Sequence, residues 1–332
     1  MEKPQHRTSW WARQSLLRKT LFILILVVLI IALALGLGLG LGLGGNGGGG
    51  GGEEPSPTTS PTAPPTPPGN GTWQPAVNST WQIILQNPVH VTAANTSLTP
   101  DVDVWDIDMF SNTNTTISAL HDLGKKVICY FSAGSSEDWR PDFDQFQPDD
   151  MGHDLDGWPG ERWLDLNSQN VRNIMTKRIQ LAAQKGCDAI DPDNIDGYDN
   201  DNGLGLTSQD SVDYMSFLSA TATNLSLAIG LKNAGEIIPE VLNMTHFSVN
   251  EQCVENDECD TFSPYVQAGK PVFHIEYPAE MPHTPTSSIC SNTGDSEGST
   301  DFSTVLKKMD LDGWVELCNG LQVTTPMVPA SD

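Results

Sequence analysis

Basic residues are scarce through most of this chain. Five of its 17 Lys and Arg lie before Thr20, where Glu2 alone opposes them, so the remainder holds 12 against 41 Asp and Glu. A surface of that sign repels nucleic acid and attracts cations, and no nucleic-acid partner is expected. Cys-x-x-Cys and His-rich spacings are also missing, which leaves no zinc signature. No G-x-G-x-x-G follows the first strand-like run, which argues against a dinucleotide-binding fold. Neither a cofactor nor a metal is expected.

Charge is wholly absent from residues 21–44, LFILILVVLIIALALGLGLGLGLG. A bilayer core needs about 20 apolar residues in a helix, and the basic flank stays cytoplasmic. The run is too long for a signal-peptide core and shows no convincing cleavage site in its apolar part. Residues 1–20 therefore read as a basic cytoplasmic tail and 21–44 as a transmembrane signal anchor. Residues 45–72, rich in Gly, then Pro, Ser and Thr, read as a disordered stalk that cannot form a core. The expected location is the cell membrane, single-pass, with the bulk of the chain outside; cleavage near the Gly run would instead release a soluble protein. Six N-x-S/T sequons, at Asn70, Asn78, Asn95, Asn114, Asn224 and Asn243, all follow the apolar run, as do all six cysteines. Both features fit an oxidising, extracytoplasmic compartment. An even cysteine count favours disulfides, with Cys253–Cys259 the first local pair expected and Cys290–Cys318 the next.

Residues 73–322 read as one domain, with 323–332 a tail. Strand-like apolar runs recur at 81–86, 102–110, 126–132, 187–193, 226–233, 247–253, 271–277 and 312–318. Helical spacing appears at 170–186, which ends in Gly, at 208–225 with a Ser cap, and at 300–309. Eight strands alternating with helices over about 250 residues predict a (β/α)8 TIM barrel, preceded by the transmembrane helix and stalk. An open doubly wound sheet is the alternative. Residues 157–168 look inserted between the third strand and its helix, with RWLDL as a short accessory strand.

In such a barrel the loops after the strands build the active site. The strand ends here are acidic and polar: Asp106 and Asp108, Ser132, Asp191 and Asp193, Lys232 and Asn233, Asn250 and Glu251, Glu276, and Glu316. The densest stretch is GCDAIDPDNIDGYDN, with five aspartates in 12 positions. Carboxylates repel, and burying one ionised is costly unless it is paired. Asp191 and Asp193 are two apart and so point to one side of their strand, and Pro192 suits a strand end. Asp196 and Asp199 are expected as turn or cap residues. Glu251 stands in an otherwise uncharged VNEQ, whereas Lys232 can be read as neutralising the acidic cluster. Trp105, Tyr130, Trp139, Trp163, Tyr198 and Tyr277 fall near the strand ends. Aromatics beside carboxylates suit sugars, whose C–H faces stack while hydroxyls and amines hydrogen-bond.

The ordered set VWDIDMF, VICYFSAGSSEDWRPDF, GCDAIDPDNIDGY, GLKNAGEI and FSVNEQC resembles glycoside hydrolase family 114, the endo-α-1,4-polygalactosaminidases, from residue 73 to about 320. The resemblance implies an endo-acting hydrolase of α-1,4-linked galactosamine in galactosaminogalactan, in a fungal cell-surface form. It implies a retaining mechanism with Asp193 as nucleophile and Glu251 as acid/base, while Asp191 could replace Asp193 and Glu276 could replace Glu251. Asp106, Asp108, Tyr130, Asp191, Lys232 and Glu276 are the expected substrate contacts. The expected partners are a polycationic galactosamine polysaccharide and, through the N-terminal helix, the membrane; a monomer is expected. A sugar-binding barrel without catalysis and an α-galactosidase-like hydrolase are the rival readings.

Overall fold

The strands are written by burial that alternates between two apolar layers. A computed structural model describes residues 71–279 and 286–329; the expected tail, anchor and nearly all of the stalk lie outside them. Three strands open the fold, β1 (Trp81–Ile84), β2 (Val104–Asp108) and β3 (Lys126–Ser132). An insertion then carries β4 (Ser135–Glu137), β5 (Met151–Asp154) and β6 (Glu161–Leu164). The main sheet resumes with β7 (Ala189–Asp193), β8 (Ala228–Lys232), β9 (Phe247–Glu251), β10 (Val272–Glu276) and β11 (Ser303–Leu306). These eight main-sheet strands run parallel, each beside its predecessor. The ends of the series meet where the Trp81 indole donates to the Ser303 carbonyl at 2.6 Å and the Lys307 ammonium donates to Gln82 at 3.0 Å. The result is an α/β barrel-like fold, not an open doubly wound sheet.

Side chains facing inward form one core: Trp81, Ile83, Val104, Ile128, Ala189, Ala228, Phe247, Val249, Phe273 and Val305. Their sequence neighbours face outward into a second core under the helices, among them Trp105, Ile107, Val127, Cys129, Phe131, Ile190 and Ile229. The helices are α1 (Asn114–Asp122), α2 (Gln169–Lys185), α3 (Ser208–Asn224), the short α4 (Ile238–Val241), α5 (Cys259–Gln267) and the short α6 (Thr286–Ile289). Ser168 caps α2 by accepting from the amides of Asn170 and Val171, and Gly186 ends it at φ 90°. Thr207, rather than Ser208, caps α3, in a reciprocal box with Asp210. Among the described residues no helix is long and apolar enough to cross a membrane.

Two expectations at the C-terminal end are corrected. Residues 300–309 contain the eighth parallel strand, not a helix, and the expected eighth strand at 312–318 is β12 (Trp314–Leu317). It runs antiparallel to β11 and pairs with β13 (Gln322–Thr324). Over so short an apolar run a helical and an alternating pattern coincide, and the vacancy beside β1 decides for strand. The insertion is also larger than expected. Residues 133–168 carry a three-stranded antiparallel sheet in the order β4–β6–β5, with β6 covering most of RWLDL. Arg178 of α2, buried, fastens it with two 2.8 Å bonds to Asp142 and one of 2.7 Å to the Ser132 carbonyl. The cysteines form three disulfides: Cys129–Cys187, Cys253–Cys259 and Cys290–Cys318.

Candidate active site

The inward alternation of β7 places Ala189 in the apolar core, Asp191 above it and Asp193 at the rim. Beyond Asp193 the chain turns sharply. The Asp193 carbonyl accepts from the amides of Ala133 and Gly134 at 2.9 and 3.0 Å, and Asn194 adopts φ 63°. Gly134 is required there, because a Cβ would lie 1.8 Å from the Asn194 carbonyl oxygen. The Asn194 amide group donates to Ser132 and Ser135, tying the rim of β3 to that of β7.

Two strands along from β7, Glu251 ends β9. Its backbone amide donates to Asn233 Oδ1 at 2.9 Å, and the Asn233 amide group returns a bond of 3.3 Å to Glu251 Oε2. Between the two acids rises Lys232. Its ammonium lies 3.2 Å from Asp193 Oδ1 and 3.1 Å from Glu251 Oε2. Those two oxygens can be no farther apart than the two contacts laid end to end, so the acids sit side by side. Burial would discharge Lys232, but Asp193, Glu251 and Asp191 together outweigh it and hold the amine firmly charged. Tyr130 donates to Asp193 Oδ2 at 2.7 Å and Tyr277 donates to Glu251 Oε1. Burial, then the adjoining carboxylate, raises both phenols well above their ordinary range, so they remain donors.

A cleft of about 500 Å³ opens over this group. One wall comes from the insertion: Glu137, Trp139, Arg140, Leu155, Trp158 and Glu161. Facing it are Leu85, Gln86, Met309, Asp310 and Leu311. Trp139 and Trp158 are 55% and 52% exposed. Seven carboxyl-bearing side chains line the cleft (Asp108, Glu137, Glu161, Asp193, Asp196, Glu251, Asp310) against two cations, Arg140 and Lys232. Arg140 is spent on Asp108 and Glu137, at 2.7 Å each. Burial raises Glu161 to about 7, with Glu137 and Asp193 adding to the shift and a bond from Ser135 opposing it. Asp196 is raised to about 6 by burial and by the charge of Asp193.

Of the residues singled out from the sequence, Asp193, Glu251, Asp108, Tyr130 and Lys232 meet at the cleft. Three expected substrate contacts do not. Asp106 and Asp191 face inward but lie wholly buried beneath the cleft floor. Glu276 points to the opposite face of β10, where it accepts from His274 at 2.8 Å and from the Val254 amide at 2.7 Å. Strand alternation explains this: Phe273, Ile275 and Tyr277 take the inward positions, which leaves Glu276 under the helices and out of reach of a role in place of Glu251. Trp105 and Trp163 are buried as well. Sequence reasoning missed Glu137 and Arg140 because the insertion was expected to begin only at residue 157; it missed Trp158 and Glu161 inside that expected insertion, where no local signal marks a cleft wall. Asp196, expected as a turn or cap residue, also lines the cleft.

Residues 62–323 match the model of glycoside-hydrolase family GH114. Among solved structures the chain is similar to Ega3 of Aspergillus fumigatus, solved as a complex with galactosamine. That match has 49% identity and a TM-score of 0.68, and covers 75% of this chain and 100% of that one. The glycoside hydrolase domain of PelA from Pseudomonas aeruginosa shares the fold, with a TM-score of 0.53 at 14% identity over 74% of this chain and 98% of that one. No match is found among curated proteins. An acid pair at the strand ends of an α/β barrel, a cleft over it and a family match over residues 62–323 agree: the chain belongs to glycoside hydrolase family GH114.

Proposed function

We propose that this glycosidase cleaves α-1,4-linked galactosamine within galactosaminogalactan, by a retaining mechanism. The observation that carries the reading is the placement of Asp193 and Glu251 on either side of one buried ammonium at the cleft floor. Hydrolysis of a glycosidic bond uses two such groups, about 5–5.5 Å apart when one of them attacks the sugar. Glu251 gives its proton to the leaving oxygen while Asp193 attacks the anomeric carbon. Glu251 then takes a proton from water, which displaces Asp193 and releases the sugar. Tyr130 and Tyr277 orient the two acids, and Lys232 keeps a fixed positive charge beside both.

The substrate class follows from charge. The cleft acids outnumber the cleft cations, so deacetylated galactosamine units, which carry ammonium groups, find partners there. The galactosamine bound in Ega3 supports the same choice. Trp139 and Trp158, left half in water, offer apolar faces for sugar rings.

The location proposed is the cell surface, through a membrane helix over residues 21–44 and a stalk over 45–72. The five sequon asparagines within the described residues (Asn78, Asn95, Asn114, Asn224, Asn243) are all exposed, and none lines the cleft, which supports a glycosylated, extracytoplasmic domain. The decisive experiment incubates the secreted domain, residues 73–332, with partly deacetylated galactosaminogalactan and follows released oligosaccharides by mass spectrometry. Asp193→Asn and Glu251→Gln run in parallel. Galactosamine oligomers from the parent alone are expected. Binding without release would favour a lectin, and release from neutral galactosides would favour an α-galactosidase.

A further inference from the structure

Beneath the floor of the cleft lie two carboxyl groups that the hydrolytic pair leaves unused. Asp106 stands at the centre of β2 and Asp191 at the centre of β7, with β3 between those strands. Both are 0% exposed. None of their four carboxylate oxygens accepts a hydrogen bond from an N–H or O–H of another described residue. The Tyr130 hydroxyl donates to Asp193, and the Lys232 ammonium contacts Asp193 and Glu251.

The two groups nevertheless face each other within hydrogen-bonding reach. Ionised together and shut off from bulk solvent, they would repel strongly. A bond between them exists only if one carries a proton, and a single proton then serves both, as in other close carboxyl pairs. The charged groups around them are few. Lys232 of β8 and Asp193 of β7 bear on both, and Glu251 of β9 bears on Asp191. Burial is the main force lifting Asp106 well above the carboxylate range and Asp191 to about 7, and Lys232 alone pulls the other way among the charges.

We propose that Asp106 and Asp191 share one proton and, as a singly negative pair below the floor, are positioning residues that hold the Lys232 ammonium between Asp193 and Glu251. The pair touches no substrate and acts through Lys232. Its single charge balances the lysine from below, where a fully ionised pair would draw the ammonium down and a fully protonated one would leave it unanchored. The kinetic half of this inference rests on the hydrolytic reading above; the proton sharing does not.

The test combines infrared difference spectroscopy with kinetics. At neutral pH the parent-minus-Asp106→Asn spectrum should contain the carbonyl stretch of one protonated carboxylic acid, and parent-minus-Asp191→Asn should show it too. Glu161 and Asp196 are present in all three proteins and cancel. Asp106→Leu, which strands Asp191 without a donor, should lower kcat about tenfold to a hundredfold, the worth of a hydrogen bond to a charged group, with KM moving far less. Asp106→Asn, which restores an N–H donor, should recover most of that loss. Absence of the carboxylic band in both differences would overturn proton sharing. Equal kcat for Asp106→Asn and Asp106→Leu would overturn positioning through Lys232. The infrared result needs no substrate, so it stands even if the parent fails to cleave galactosaminogalactan, an outcome that would count against the substrate reading instead.

Discussion

The Tyr130 hydroxyl donates to Asp193 Oδ2 at 2.7 Å from the strand next door. That bond leaves Oδ1 turned toward Lys232 and the amide of Asn194. A nucleophilic carboxylate must be held still, and a donor from a rigid strand does this better than one from a loop. Tyr130→Phe removes the bond and keeps the ring. We expect kcat to fall about tenfold to a hundredfold, since hydrogen bonds to charged groups are worth about 1.5–3 kcal/mol, while KM changes little. Steady-state kinetics on galactosamine oligomers would check it, and an equal rise in KM would assign the tyrosine to binding instead.

Trp139 and Trp158 lie on the insertion wall of the cleft. Their removal should weaken binding without touching the chemistry. Trp139→Ala and Trp158→Ala are each expected to raise KM on polymer by about twofold to tenfold, taking an aromatic contact as about 0.5–1.5 kcal/mol. Their kcat should stay close to that of the parent. A collapse of kcat with unchanged KM would move these residues from binding to catalysis.

Glu161 makes stability depend on pH. Its carboxyl is raised to about 7 in the folded protein, chiefly by burial, from an ordinary 4.5. Between those values the native state binds the extra proton, so the contribution is complete below about 4.5 and is lost as pH rises through 7. The loss is on the order of 3 kcal/mol at most. Glu161→Gln should flatten the fall of the thermal midpoint across this window. It should not abolish it, because Asp196, raised to about 6, acts in the same direction. An unchanged slope would show that Glu161 ionises freely.

The acidic cleft should make activity sensitive to salt. The screening length shrinks from about 30 Å at 0.01 M to about 3 Å at 1 M. We expect kcat/KM on deacetylated polymer to fall steadily over that range, and to fall less on a more acetylated polymer, which carries fewer ammonium groups. Salt-independent cleavage would mean that charge does not recruit the substrate.

Cys129 and Cys187 join β3 to the segment entering β7, closing 58 residues that include the whole insertion. Replacing both with Ala should cost about 2–5 kcal/mol, measured as a shift in the denaturant midpoint. The small loop closed by Cys253–Cys259 should contribute less by the same reasoning. A larger loss from the small loop would mean that native packing, not chain entropy, sets the order.

The sequence by itself determined most of the strand ladder and both long helices, because each depends on local signals: β-branched runs, Ser or Thr caps, a terminal Gly. It determined also that acids crowd the strand ends and that the outer domain is strongly negative. Its motifs were specific enough to place the chain in its family. Where the periodicity was too short to read, as at 303–306, only closure of the barrel decided between helix and strand. The site divides in the same way. Asp193 and Glu251 were legible because each is an acid at the end of a strand-like run and lies in a motif that resembles the family's. Asp191 and Asp106 have the same parity and were therefore taken for substrate contacts, yet depth within the barrel, which no sequence records, buries them. Glu276 has the opposite parity to Tyr277 and so turns away from the cleft. The insertion wall, with Glu137, Glu161 and Trp158, lay hidden because its distance from Asp193 is set by the Arg178–Asp142 clasp and by the turn at Gly134, both contacts between segments far apart in the chain. Local pattern fixes which residues face inward; the three-dimensional packing of distant strands alone fixes how deep they lie and which charges they meet.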